Sequence, residues 1–247
     1  MRQFILWNHL KSSSFNFINN NIIVSYPTGL GIGFDVTIEN GLVTSYQRKF
    51  DDITFLLHIG VNDNAYTKFK LLADFIALNG KNKFILEYSV NGRILYADVW
   101  VKKLPKTEKN EYGILREKLE LTRTSYWYEI VTGTLSSTHE IINNTSDDIN
   151  VNLTINGEGE VGNNITLNNG LEIRLGQSQS VDESLIIDSE NKVVTFISSG
   201  VNSNGYNRID KSKDTFMVVP NGTYTLTKGT SLWSAIISYN YKKWVID

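Results

Sequence analysis

The chain has 247 residues and a mass of 28.0 kDa, with 24 basic and 26 acidic side chains, a formal charge of −2, no cysteine and 3 prolines. The length fits one large domain or two of ordinary size, and 41% hydrophobic with 20% charged residues is a globular composition, which excludes wholesale disorder and fibrous repeats. Without cysteine there is no disulfide framework, thiolate metal site or cysteine nucleophile, and a charge near zero sets up no long-range attraction to nucleic acid or an anionic membrane.

At the N-terminus, Phe4 to Trp7 form a short apolar run, too brief for the roughly 7 to 15 residues of a secretory core. No later stretch approaches the ~20 apolar residues of a membrane span, so neither classical export nor a bilayer is expected. The glycine run Gly29-Leu30-Gly31-Ile32-Gly33 invites a phosphate-loop reading. Such a loop opens directly into a helix, whereas FDVTIEN follows with a strand pattern, so a bulged or flexible connection is expected.

After Asn64, AYTKFKLLADFIALNG places Tyr66, Phe69, Leu72, Ala73 and Ile76 at helical spacing, with Leu71, Phe75 and Leu78 widening the stripe. The helix is expected from about Ala65 to Asn79, capped by Asp63 or Asn64 and ended by a left-handed Gly80. FILEYSV and RILYADVWVK then flank Asn91-Gly92, the dipeptide suited to a two-residue type I′ turn, and the apolar residues on both faces predict a hairpin covered on both sides. The segment ILREKLEL suits a helix by propensity. Its shortness and the shared face of Leu115, Leu119 and Leu121 favour a strand instead.

The aromatic cluster Tyr126-Trp127-Tyr128 precedes a polar stretch from Thr132 to His139, which marks a candidate boundary between residues 1–133 and 134–247. Charge changes there: 16 basic and 13 acidic residues give +3 before it, 8 and 13 give −5 after it. The second part reads as short strands at Asn150 to Ile155, Asn164 to Leu167, Leu171 to Leu175, Leu185 to Ile187, Lys192 to Ile197, Thr215 to Val219, Thr223 to Thr227 and Ser231 to Tyr241. Turn signals such as Asn156-Gly157, Asn169-Gly170, Asn204-Gly205 and Asn221-Gly222 separate them, the spacing of a β-sandwich or barrel. The fold class expected is mainly β.

Little in the sequence carries chemistry. His9, His58 and His139 stand far apart without metal-ligand spacing, and no serine lies in GxSxG. Glu158 and Glu160 in NGEGE are two apart, as in a glycosidase pair, but their Asn/Gly surroundings favour solvated turn residues. Trp233, Tyr239 and Trp244 are candidate sugar-stacking residues, against the commoner role of strand aromatics as core. Neither a cofactor nor a metal is expected, and a non-enzymatic binding or structural protein fits best. The alternative is a carbohydrate-binding protein whose second part recognises a host cell-wall glycan.

The order of elements resembles the distal tail proteins of long, non-contractile-tailed phages of Gram-positive bacteria. The matching features are the Tyr66 and Phe69 helix ending in Asn79-Gly80, then FILEYSVNGRILYADV, a polar break and TSYWYE. HEIINNTSDDINVNLTINGEGE, ITLNNGLEIRLG and LIIDSENKVV follow in the second half. The resemblance implies an N-terminal split-barrel-like β-domain with one helix and a C-terminal galectin-like β-sandwich. It also implies a homohexameric ring in the virion that joins the tail tube protein to the tail-associated lysin or tip protein, with receptor-binding or other baseplate proteins as further partners. DNA would pass through such a ring without being bound. Galectin sugar sites pair a histidine with Asn-Pro-Arg; here His139 has no such companion, and Pro220 sits in a Val219-Pro220-Asn221-Gly222 turn, so sugar recognition is not carried over. Within the ring, edge strands of the first part and the hairpin tip at Asn91 and Gly92 are the candidate interface.

Overall fold

The computed structural model describes residues 2–60, 64–108, 113–229 and 233–243. They form twenty strands and one α-helix, divided between two compact units within Met1–Tyr128 and Glu129–Lys242.

In the first unit the chain runs through β1 (Gln3–Asn8), β2 (Ser14–Asn16), β3 (Ile22–Thr28), β4 (Ile32–Glu39), β5 (Leu42–Phe50), β6 (Asp52–Ile59), α1 (Ala65–Asn79), β7 (Phe84–Val90), β8 (Arg93–Lys103) and β9 (Leu115–Arg123). β10 (Trp127–Leu135) starts beside β8, where Tyr128 pairs with Tyr96, and carries the chain into the second unit. The antiparallel order is β2-β1-β7-β8-β9-β6-β3. Its end strands β2 and β3 do not pair among the described residues, so no closed barrel forms.

Side chains alternate across a strand, and here the alternation selects the core. β6 buries Ile53, Phe55, Leu57 and Ile59, and β9 opposite it buries Leu115, Leu119 and Leu121. Phe4 and Leu6 of β1, Phe84 and Leu86 of β7, and Phe69 and Leu72 of α1 join the same cluster. ILREKLEL is thus a strand, because alternate burial of its leucines outweighs their helix propensity.

The helix has the expected bounds, with a narrower buried stripe: Ala65, Phe69 and Leu72 are buried, whereas Tyr66, Leu71 and Leu78 are exposed. Asn64 supplies no side-chain cap, and Asp63 lies outside the described residues. Gly80 is not left-handed: its φ is −72°. Close approach selects glycine there instead, since a Cβ would stand 2.8 Å from the Ile76 carbonyl oxygen. Asn91 (φ 50°) and Gly92 (φ 81°) have the two positive φ values of a type I′ turn. β7 is covered on both faces from Phe84 to Tyr88, but β8 leaves Ile94 and Trp100 exposed, so the hairpin is only partly covered.

The second unit adds β11 (Thr138–Asn143), β12 (Ile149–Asn156), β13 (Asn164–Leu167), β14 (Glu172–Arg174), β15 (Glu183–Asp188), β16 (Val193–Ser198), β17 (Val201–Asn204), β18 (Met217–Val219), β19 (Gly222–Lys228) and β20 (Ser234–Lys243). A short 3-10 turn at Tyr206–Arg208 lies between β17 and β18. One sheet has the order β17-β16-β15-β12-β20-β10, with β18 on β12; the other is β11-β19-β13-β14. Leu153, Ile155, Leu185, Phe196 and Ile237 from the first meet Ile141, Ile165, Ile173 and Leu226 from the second in one core, the arrangement of a β-sandwich. The polar stretch from Thr132 to His139 is the end of β10, a turn and the start of β11.

Candidate assembly and binding surfaces

Asn91 and Gly92 form an exposed tip, but the strands behind them lie inside the sheet: β7 between β1 and β8, and β8 between β7 and its neighbours β9 and β10. Their backbone groups are already paired, so only the turn itself is open to a partner. Free edges belong instead to β2, β3 and the separate β4–β5 hairpin, which pairs with no other strand among the described residues.

Asn40 (φ 50°) and Gly41 (φ 78°) make the β4–β5 turn, and the register shifts by one residue between Thr37 and Ile38. β4 keeps strict alternation. Phe34, Val36 and Ile38 share one face with Val43 opposite Ile38, and all four are exposed; Asp35 and Lys49 pair on the other face. The base is firmly held. The Trp127 indole N–H donates to the Leu30 carbonyl at 3.1 Å, and the Arg123 guanidinium donates to the Gly31 carbonyl. Phe50 meets Tyr126 edge-on with 5.2 Å between ring centres.

Arg123 is buried on the inner face of β9, and its Nε and Nη1 have no hydrogen-bond partner among the described residues. Desolvation lowers its pKa to about 10, although Asp51 acts the other way. Glu117, also on that face, accepts from the backbone N–H and the hydroxyl of Thr107. The connection at Gly29–Gly33, expected to be bulged or flexible, is an anchored one. Gly29 has φ 75°, and its Cα packs so closely on Asp52 that a Cβ would stand 1.9 Å from the Asp52 carbonyl oxygen.

A pocket of about 520 Å³ opens between the start of β1 and β3, lined by Arg2, Phe4, Phe17, Ile22, Val24 and Tyr26 among others. It lies at the seam where the strand order fails to close. On the opposite face of the sheet the Trp7 indole donates to Glu87 at 2.8 Å, and Lys11 sits 3.5 Å over the Tyr96 ring. Burial lowers the Lys11 pKa, while Glu87 and Asp98 work against that shift.

The candidate stacking residues fall differently. Trp233 is 2% exposed and Tyr239 7%, both in the core of the second unit, and Tyr239 meets His139 through a 3.2 Å hydrogen bond. Neither offers the open ring face that a stacked sugar needs. Their place on the inward face of β20 and its approach explains this; Trp244 lies outside the described residues. Glu158 and Glu160 are both exposed, on either side of the buried Gly159. His58 contacts the Ser25 hydroxyl at 2.7 Å, and burial, then Arg116, lowers its pKa. No group of three or more metal-ligating side chains occurs among the described residues.

Sequence reasoning passed over the β4–β5 hairpin, although Asn40-Gly41 between two alternating runs is the same signal that located Asn91-Gly92. The described residues offer anchored strands, free edges and apolar surface. Residues 3–124 match the family model for the N-terminal domain of the distal tail protein. Residues 3–124 belong to the distal tail protein family. A distal tail protein is a structural component of the phage tail and baseplate, so the chain is part of the virion. Its fold is similar to a chain in the activated, calcium-bound baseplate of phage P2 (15% identity, 100% of both chains, TM-score 0.62). It is also similar to the Dit protein of phage SPP1, described as a paradigm of the hub adsorption apparatus in phages infecting Gram-positive bacteria (9% identity, 97% of this chain and 99% of that one, TM-score 0.61). No curated protein matches the sequence.

Proposed function

We propose that this distal tail protein is a non-catalytic hub that assembles as a hexameric ring, joining the tail tube to the baseplate or tip and its host-adsorption proteins. The match of residues 3–124 to the distal tail N-terminal domain carries this reading, and the fold likeness to the SPP1 hub over nearly all of both chains supports it. In this reading residues 1–133 form the ring and residues 134–247 a galectin-like sandwich. The partners are the tail tube protein, the tail-associated lysin or tip protein, and receptor-binding or other baseplate proteins.

A closed ring of identical chains needs two different surfaces on each subunit. The unpaired edges of β2, β3 and the β4–β5 hairpin among the described residues support this reading, in which the tip at Asn91 and Gly92 contributes a turn. A stable contact buries roughly 1,200 to 2,000 Å². Electron microscopy and mass measurement of the purified protein test the reading. The expected particle is a six-fold ring with a central channel and six times the 28.0 kDa chain mass. A monomer at high concentration that forms no ring with the tube and tip proteins would overturn it.

A further inference from the structure

Seven asparagines in the chain precede a glycine: Asn40, Asn79, Asn91, Asn156, Asn169, Asn204 and Asn221. A glycine there leaves its backbone nitrogen unhindered, so that it can attack the asparagine side chain, the reaction that makes such dipeptides thermolabile. Attack needs a carboxamide free to turn and a backbone free to bend toward it. The side-chain hydrogen bonds divide the seven by that requirement. The Asn79 amide donates to the Phe75 carbonyl at 2.9 Å, and the Asn221 amide to the carbonyls of Asn143 and Thr145 at 3.1 and 3.0 Å. Asn156 accepts from the Ser184 hydroxyl at 2.7 Å, Asn169 from the Leu171 N–H at 3.1 Å, and Asn204 from the Tyr206 N–H at 3.0 Å. Asn40 and Asn91 are exposed, and neither side chain makes a hydrogen bond among the described residues. Each stands in a two-residue hairpin turn, and a Cβ on Gly41 or Gly92 would meet nothing within 4 Å.

We propose that Asn40 and Asn91 are sites of spontaneous covalent modification, converting to aspartate and isoaspartate while the five restrained asparagines are spared. The Gly41 or Gly92 backbone nitrogen bonds to the asparagine Cγ and gives up its proton, and the side-chain nitrogen leaves as ammonia, closing a succinimide ring. Water then opens the ring in one of two ways. Cleavage of the new Cγ–N bond leaves aspartate, and cleavage of the original peptide bond leaves isoaspartate, whose main chain is longer by one carbon. The only co-reactant is water. Each event replaces a neutral amide by a carboxylate, so conversion of both tips adds −2 to the formal charge of −2 and gives −4. At the β4–β5 tip the new charge stands beside Glu39. A type I′ turn needs two residues of positive φ, as Asn40 with Gly41 and Asn91 with Gly92 provide. The longer main chain of isoaspartate does not fit that turn, so a modified tip loosens while the paired strands below it hold. The inference is independent of the ring reading.

The full chain, incubated at mildly alkaline pH and sampled over time, provides the test. Trypsin releases Asn40 and Asn91 within residues 12–48 and 84–93, neither of which holds another Asn-Gly, so mass spectrometry reads each tip separately. A parallel sample in denaturant gives the rate of each asparagine without structure. In the folded protein the two tips should convert about tenfold or more faster than the other five, which must first break a side-chain hydrogen bond and open the structure around it. In denaturant that difference should disappear. Ion exchange of the folded sample should resolve species with one and two added negative charges. The double substitution Asn40→Gly with Asn91→Gly keeps residues suited to a type I′ turn and should abolish those species. Conversion of any restrained asparagine as fast as the tips overturns the proposal. So do tips that stay intact in the folded protein while the denatured sample converts, and acidic species that persist in the double variant.

Discussion

Glu172 gathers the Asn164 amide at 2.8 Å, Arg174 at 2.7 Å and Lys213 at 2.9 Å on one carboxylate, and these hydrogen bonds lower its pKa to about 2. A carboxyl group whose folded pKa lies below its unfolded value stabilises the fold above the unfolded pKa. That contribution fades as pH falls from about 4.5 toward about 2. Glu172→Gln should therefore lower Tm at pH 7, and the gap to the parent should close on acidification over that interval, as thermal melts across pH will show. Arg123 presents the opposite case, a buried cation with two nitrogens that find no partner among the described residues. A buried charge carries a desolvation penalty that an apolar side chain of similar size does not. Arg123→Met should thus hold or raise Tm, while losing the Gly31 anchor should speed proteolysis within the β4–β5 hairpin by about tenfold, the effect of one charge-assisted hydrogen bond on local opening. Trp233 shows what residue type alone leaves open: a strand tryptophan serves as sugar platform or as core, and only the register of its neighbours decides.

At the scale of elements, the turns separate conformational need from close contact. Gly92 has φ 81° and open space where a Cβ would stand, so Gly92→Ala should cost only the left-handed penalty of about 1 to 2 kcal/mol. Gly29 has a similar φ, but its Cβ would collide with the Asp52 backbone. Gly29→Ala should cost more than the ~4 kcal/mol that few substitutions reach, and denaturant titration of the two variants will separate the causes. Elements with a strong local pattern were legible in advance: the bounds of α1, the Asn91-Gly92 turn, and the strand at Asn164–Leu167. Failures came where tertiary context chose. Leu71 and Leu78 fit the helical stripe yet face solvent, because the core takes a narrower face of α1 than its apolar residues offer. Thr132 to His139 reads as a polar break, but pairing partners far along the chain, β19 for β11 and β20 for β10, draw it into strands. The candidate surfaces were less legible still. A seam pocket exists only through residues brought together by strand order, and the outward face of β4–β5 looks in sequence like any strand destined for a core.

For the whole molecule, the small net charge of −2 conceals a +3 and a −5 part, and the hydrophobic residues likewise separate into two cores with no member in common. One core gathers Phe4 through Trp127 and the other Leu135 through Tyr239, so each unit excludes water on its own account. Cooperative unfolding follows shared burial, and two cores of this kind predict two thermal transitions rather than one. Leu57 and Leu153, each fully buried in a different core, assign them. Leu57→Ala should lower only the transition of the first unit and Leu153→Ala only that of the second, each by the ~2 to 5 kcal/mol of a large-to-small core change. Calorimetry on the parent and both variants will decide, and a fragment of residues 129–242 should reproduce the transition that Leu153→Ala moves. A single transition shifted equally by both substitutions would mean that the two cores melt as one cooperative body, and that the division into units describes packing without describing stability.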